Sequence, residues 1–267
     1  MLLSWSTLWK MYLLCTPRIV LTKASFWDEI ADIEEESKHQ VSELTVKQLR
    51  KIPVDPESTG LEIGPGTGRL TIPLAKAARK VTVVESSREM ISHLMANAKR
   101  NQVDNIVFVN KRWEEVVVGK DLEVHDIVIA SFSLFMVNIE EALAKMNEAA
   151  KRAVYLVVSA ECWIPGWIQK ILYGEELFKG FSDHLLIFSI LHEMGIHANV
   201  EVISYEHRKR YDDLEKAVSH FAEIYGVPSD KKSELKEHLR RILVEKDGKL
   251  WHLQRKRAAL IWWVKET

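Results

Sequence analysis

Three glycines, Gly64, Gly66 and Gly68, fall within five residues in a chain that has only eleven. They follow a short apolar run, Leu61-Glu-Ile63, and precede an amphipathic one, Arg69 to Arg79. Glycine turns the backbone sharply without a steric cost and lets a ligand come close to it. A strand that turns through glycines into a helix places free N–H groups and the helix dipole at the strand's end, where such loops hold ligands. This junction restricts the chain to an α/β fold with a ligand at the C-terminal ends of its strands.

The surrounding pattern agrees. Short apolar runs at 81–84, 105–109, 126–130 and 153–158 alternate with helical patterns at 88–101 and 139–150. Continuous apolar strands are expected where helices cover both faces of a sheet. Alternating βα units predict a doubly wound, mostly parallel sheet. A helix is predicted over Phe26 to Lys51, ended by Pro53 and Pro56. After Val158 the pattern changes. Glu161 to Phe181 is rich in Trp, Tyr and Phe, and helices are expected at 182–194, 212–225 and 229–245. A strand at 199–205 and a terminal hairpin at 250–264 complete the expectation. The domain reading is an N-terminal arm and helix, 1–52, packing on or capping the core, and a main domain, 53–267. That domain divides into a cofactor-binding half, 53–160, and a substrate half with a helical insertion, 161–267.

Glu85 ends the second strand about 20 residues after the glycine loop, where a ribose-binding acid is expected, because a carboxylate there accepts from both ribose hydroxyls. The loop spacing is Gly-x-Gly-x-Gly, and Arg69 stands where a dinucleotide fingerprint has its third glycine. A side chain that bulky crowds helix–strand packing beside a pyrophosphate, which disfavours a nicotinamide dehydrogenase.

Leu61 to Gly68 is similar to the first motif of the class I, Rossmann-like, S-adenosylmethionine-dependent methyltransferases, and Val81 to Glu85 resembles their second segment. The resemblance runs from Thr59 to about Ser159. It implies S-adenosyl-L-methionine as cofactor and a seven-stranded sheet with one antiparallel strand near an edge. It also implies that the loop of Glu62, Gly64, Pro65, Gly66 and Gly68 passes the methionine and ribose parts of the cofactor. Glu85 would then hold the ribose, and Ser86 or Met90 would lie near the adenine. The family's third segment carries an acid just after strand three; here Arg112 or Trp113 holds that place, and Trp113 is open to stacking on adenine or to packing at the core edge. In the fourth segment Ser131 and Phe132 sit nearest the reacting methyl group. Ser131-Phe-Ser-Leu134 is not the Asn/Asp-Pro-Pro-Tyr/Phe of base-amino methyltransferases, so a small-molecule acceptor is the leading reading.

Methyl transfer from a sulfonium mainly needs alignment, and no catalytic residue is assigned. Glu161, His184 and His192 are candidate bases, each read first as a surface or capping residue because no second partner is visible in sequence. Trp163, Trp167 and Tyr173 are expected to line an acceptor pocket or to form a subsidiary core. The formal charge of -1 gives no bulk pull toward nucleic acid. The basic runs 208–210, 231–232, 240–241 and 255–257 are interspersed with acids and read as solvated surface. RNA or protein methylation, or cofactor binding without catalysis, are the alternative functions. Cys15 and Cys162 make neither a disulfide framework nor a zinc site, which points to a reducing, cytoplasmic setting without a resident metal. Met1 to Lys23 has no acidic residue, and its apolar runs are too broken to span a bilayer; a docked arm is expected. Oligomeric state is not legible.

Overall fold

The computed structural model describes residues 4–36, 42–176 and 182–265. The N-terminal part is four helices rather than one arm and one helix: α1 (Trp5–Leu14), α2 (Ala24–Glu29), α3 (Ala31–Glu36) and α4 (Glu43–Lys51), with a 3-10 turn at Pro17–Thr22. The single helix expected over 26–51 is broken because its apolar residues serve two surfaces. Phe26 and Ile30 pack with Met90, whereas Leu44 joins the core on one face of the sheet. Ser42 starts α4 afresh by accepting a hydrogen bond from Thr45 N–H. Val41 lies outside the described residues.

The core follows as β1 (Thr59–Ile63), α5 (Thr71–Ala77), β2 (Lys80–Val84), α6 (Arg88–Arg100), β3 (Ile106–Val109), β4 (His125–Ser131), α7 (Ile139–Ala149) and β5 (Ala150–Ser159). Then come α8 (Gly166–Tyr173), α9 (Asp183–Glu193), β6 (Asn199–Tyr211), α10 (Leu214–Tyr225), α11 (Lys232–Ile242), β7 (Leu243–Lys246) and β8 (Lys249–Val264). The sheet order is β3-β2-β1-β4-β5-β8-β6. β1 to β5 are mutually parallel, and β8 runs antiparallel to both β5 and β6. The fold class is the expected α/β one, with an eighth strand, β7, added by a hairpin onto β8. Residues 250–264 are therefore one strand and not a hairpin. The turn is Asp247-Gly248, both with positive φ (53° and 68°), as a two-residue hairpin turn requires. The polar run expected to stay helical to Glu245 leaves the helix at Ile242.

Alternation sorts the strand side chains into two layers. Leu61, Val128, Leu156 and Ile261 face α1, α7 and α9 on one side. Val83, Ile129, Val157 and Leu260 face α4, α5 and α6 on the other. Both layers are buried, which is why these strands read as unbroken apolar runs.

One feature builds the site. β5 and β8 stop pairing at Ser159↔Ala258, but β6 and β8 stay paired to Tyr211↔Leu250. Eight further residue pairs of antiparallel ribbon thus run on past the C-terminal end of β5, about 25 Å at the usual rise. Tyr211 and Leu250 on the ribbon join α8, α10 and α11 in a separate apolar cluster, so the ribbon carries a cap beside the strand ends.

Candidate functional site

The three glycines have separate duties. All have positive φ (67°, 56° and 97° at Gly64, Gly66 and Gly68). Gly64 N–H donates to Val84 O at 2.9 Å. A Cβ on Gly64 would stand 2.4 Å from Ser133 Cβ, because the Ser133 hydroxyl donates to Ile63 O and draws the β4 loop against the end of β1. A Cβ on Gly68 would meet Leu94 of α6 at 2.2 Å, so this glycine lets helix pack on loop and does not line the cavity. Gly66 N–H points to Glu85 Oε2 at 3.3 Å, and Ser87 N–H donates to Oε1 at 2.9 Å. The Glu85 carboxylate is thus set at the end of β2 by two backbone donors, while Asn110 Nδ2 bonds the Glu85 and Ser86 carbonyls. Such held acceptors beside a loop of permissive backbone suit a ribose and a close-lying chain, so the residues present fit S-adenosylmethionine.

The other expected contacts separate. Glu62 is buried and accepts from the Thr71 hydroxyl at 2.6 Å, Pro65 is buried within the turn, and Ser86 lines the cavity. Met90 is buried among Phe26, Ile30 and Leu21, with a part of it on the cavity wall. Arg112 is half-exposed and pairs with Glu114 at 3.0 Å. Trp113 is buried, its indole N–H donating to Ala142 O at 3.1 Å, with Lys145 Nζ 5.4 Å from the ring. Ser131 is already engaged: Arg69 Nη2 donates to it at 2.8 Å and Gln48 Nε2 at 2.9 Å. Phe132 is a non-glycine residue at φ +56°, its N–H bonded to Val157 O at 2.8 Å and its ring 6.4 Å from Tyr205. A bulky residue held in that conformation costs on the order of 1–3 kcal/mol and is typical of functional turns.

In the sequence Arg69 speaks only against a dinucleotide. In the fold it is a clamp, because its Nη1 donates to Thr45 and Gln48 of α4 at 2.8 and 2.7 Å. Ser87 Oγ donates to Asp28 of α2 at 2.6 Å. The N-terminal helices are therefore tied to the same loops that form the site.

A cavity of about 1760 Å³ opens from these loops. Drug-sized ligands occupy pockets of about 300–1,000 Å³, so this one has room for a cofactor and a second molecule. The glycine loop and Glu85 line one part, and Tyr205, His207 and Lys256 on the ribbon line another. Trp27 stacks on Phe135 (5.6 Å, 26°) along the N-terminal wall. Trp163 lines the cavity and leans on Arg18, 4.7 Å from its guanidinium. Trp167 stacks on His238 at 4.3 Å and packs near Phe221, so it belongs chiefly to the cap's core. Tyr173 is half-exposed, and Phe178 and Phe181 lie outside the described residues.

Among the candidate bases, Glu161 lines the cavity and accepts from Arg257 Nε at 3.4 Å. His184 bonds the Ser182 hydroxyl at 2.8 Å, with burial pulling its pKa down, and His192 is exposed. Lys256 was absorbed into a basic run. The overlooked signal is the period of two: Arg255 and Arg257 are exposed, so Lys256 between them must point inward. Among the described residues no helix is long and apolar enough to cross a membrane, and no cluster of His, Cys, Asp and Glu is placed to hold a metal.

Residues 61–153 match a family model described as a methyltransferase domain. A 23S rRNA (uracil(1939)-C(5))-methyltransferase of Vibrio cholerae is 38% identical over 72 residues, 27% of this chain and 16% of that protein. The ribosomal RNA small subunit methyltransferase A of Desulforapulum autotrophicum is 32% identical over 119 residues, 40% of this chain and 39% of that protein. The chain thus spans well under half the length of these relatives. Among solved structures, the YcgJ protein of Bacillus subtilis superposes with a TM-score of 0.56 at 14% identity, over 84% of this chain and 98% of that one. With the glycine loop, the held acid and the strand order, these findings make residues 61–153 a methyltransferase domain of the class I, Rossmann-like family, whose cofactor is S-adenosylmethionine.

Proposed function

We propose that this chain methylates a small molecule. The observation that carries the reading is the cavity: it continues from the cofactor loops to a recess walled by the ribbon, the cap and the N-terminal helices. The RNA-acting relatives resemble the chain over 72 and 119 residues, 27% and 40% of it. The bound cofactor would supply an activated methyl group on a sulfonium. The chain's own part is to hold the two molecules in line and keep water away, with Phe132, Tyr205 and Trp163 as apolar walls. On this reading residues 161–267 form the substrate half, and 1–52 close the cavity from the other side. To test it, the full chain is incubated with methyl-labelled S-adenosylmethionine and cell extract separated into small-molecule, RNA and protein fractions. Label is expected in the small-molecule fraction; label confined to ribonuclease-sensitive material would overturn the assignment.

Within the cofactor part, Glu85 is assigned to the ribose, with the loop at Gly64 and Gly66 beside it and Ser86 toward the adenine. Replacing Glu85 by alanine removes an acceptor for two hydroxyls and leaves the Gly66 and Ser87 N–H groups without it. The expected loss is about 1–3 kcal/mol of S-adenosylhomocysteine affinity by calorimetry, with NAD binding far weaker throughout. Unchanged affinity would move the ribose elsewhere.

A further inference from the structure

The inward face of the ribbon is unusually polar for a wall that closes a cavity. Period-two alternation puts Tyr205, His207, Lys209 and Tyr211 of β6 on one face, opposite Lys256, Gln254, His252 and Leu250 of β8. Tyr205, His207, Lys209 and Lys256 all line the cavity that holds the glycine loop and Glu85. Three of these groups have partners. Lys209 Nζ pairs with Glu34 at 2.7 Å, and Gln254 Nε2 bonds the His252 ring. Glu161, which also lines the cavity, accepts from Arg257.

Tyr211 Oη, also buried with no partner among the described residues, belongs to the cap's cluster; of the nitrogen groups on this face that line the cavity, two are left. Lys256 has no hydrogen bond or ion pair among the described residues, although protein surrounds its ammonium on nearly all sides. It keeps some accessible surface because it faces the cavity. His207 Nδ1 is buried with no hydrogen-bond partner among the described residues. A cation enclosed without a counter-charge is costly, so a buried charge is paired or the group moves toward its neutral form. Burial, and then the charge of Lys209, pull the Lys256 ammonium down to about 8, so it is still mostly charged at neutral pH. Burial holds His207 well below its ordinary range, so its ring is neutral and able to donate one hydrogen bond without adding charge. Among the described residues Glu34 and Glu161 are each paired with another cation, Lys209 and Arg257, so neither closes an ion pair with Lys256 and both act on it only from a distance.

We propose that Lys256, with His207 beside it, forms an oxyanion subsite of the acceptor pocket, so that the methyl acceptor is a small molecule carrying a carboxylate or phosphoryl group. The inference rests on the small-molecule reading for its biological meaning. The anion anchors on the ribbon, and the remainder of the acceptor extends past Tyr205 and Phe132 toward the cofactor loops. Tyr205 and Phe132, with ring centroids 6.4 Å apart, supply the apolar passage between the two ends. Lys256 is then a specificity residue and takes no part in bond making.

The direct test uses the full chain saturated with S-adenosylhomocysteine, its lysine amines carrying a carbon-13 label by reductive methylation. The Lys256 resonance is assigned by its disappearance in Lys256→Met. Acetate, inorganic phosphate and neutral acetamide are titrated in turn. Either anion is expected to raise the Lys256 titration midpoint, acetamide is not, and the stronger of the two anions identifies the acceptor's charged group. A midpoint unmoved by both anions, or moved equally by acetamide, overturns the subsite whatever the labelling experiment finds. The labelling experiment adds an independent reading. The labelled product is expected to bind an anion exchanger at pH 8. Lys256→Met is expected to raise the acceptor KM at least tenfold with cofactor affinity within twofold, and Lys256→Arg to restore part of it. A labelled small molecule that is neutral or cationic refutes the subsite and leaves the methyltransferase reading intact. Label only in RNA defeats the small-molecule reading, with the anion titration still deciding the subsite.

Discussion

Gly66→Val is expected to abolish S-adenosylmethionine and S-adenosylhomocysteine binding in a chain that still folds. Gly66 sits at φ +56°, a conformation in which a β-branched residue is a genuine outlier. Valine must either strain the loop or turn it. Turning it removes the Gly66 N–H from the Glu85 carboxylate and puts a branched side chain where the cofactor passes. The loss should reach about 3 kcal/mol or more, roughly two orders of magnitude in affinity, which takes binding out of calorimetric range at ordinary protein concentrations. Gly119→Ala is the control. Gly119 also has positive φ (83°), but a Cβ there meets nothing within 4 Å, so that variant pays backbone strain alone and should bind normally. Retained affinity in Gly66→Val would mean that the cofactor does not lie along this loop.

What the sequence disclosed divides by distance along the chain. The glycine loop, the strands from β1 to β5 and the position of Glu85 are carried by periodicity and local turn chemistry, and these survive in one dimension. The break between α2 and α4 was hidden because Phe26 and Leu44 keep helical spacing while packing on different bodies. Trp113 and Ser131 were legible as positions and not as environments. Ser131 is held by Arg69, 62 residues away, and Gln48, 83 away. The ion pairs of its neighbours hide Lys256 in the same way. A basic tripeptide looks solvated until the strand's alternation and the partners of Lys209, Arg257 and Glu34 are known. The cavity's roof is equally a tertiary fact. β6 and β8 outrun β5, and nothing in the apolar count of either strand states how far its neighbour extends.

The buried Arg18–Asp183 pair holds the N-terminal segment, and breaking it is expected to have the largest effect on stability. Arg18 is fully buried, the Asp183 carboxylate receives both its Nη atoms, and its Nη2–Oδ2 distance is 2.9 Å. Four rings surround the guanidinium: Tyr12 and Trp163 at 4.7 Å, Trp9 at 5.7 Å and Phe135 at 5.9 Å. Asp183 opens α9, and Arg18 lies in the 3-10 turn that leads to the cavity-lining Leu21 and Phe26, so the pair fastens this wall to the substrate half. Asp183→Ala leaves the cation buried without its counter-charge. The expected cost is about 3–5 kcal/mol, a fall of roughly 6–20 °C in Tm for a domain of this size. The double variant Arg18→Met with Asp183→Leu removes both charges and should recover most of that loss, since the rings remain to pack against an apolar side chain. The melts also separate two roles. If the pair serves only stability, the double variant should regain cofactor affinity together with its Tm. A single variant that melts with the parent chain would show that the N-terminal helices are held by Trp9 and the Arg69 clamp instead.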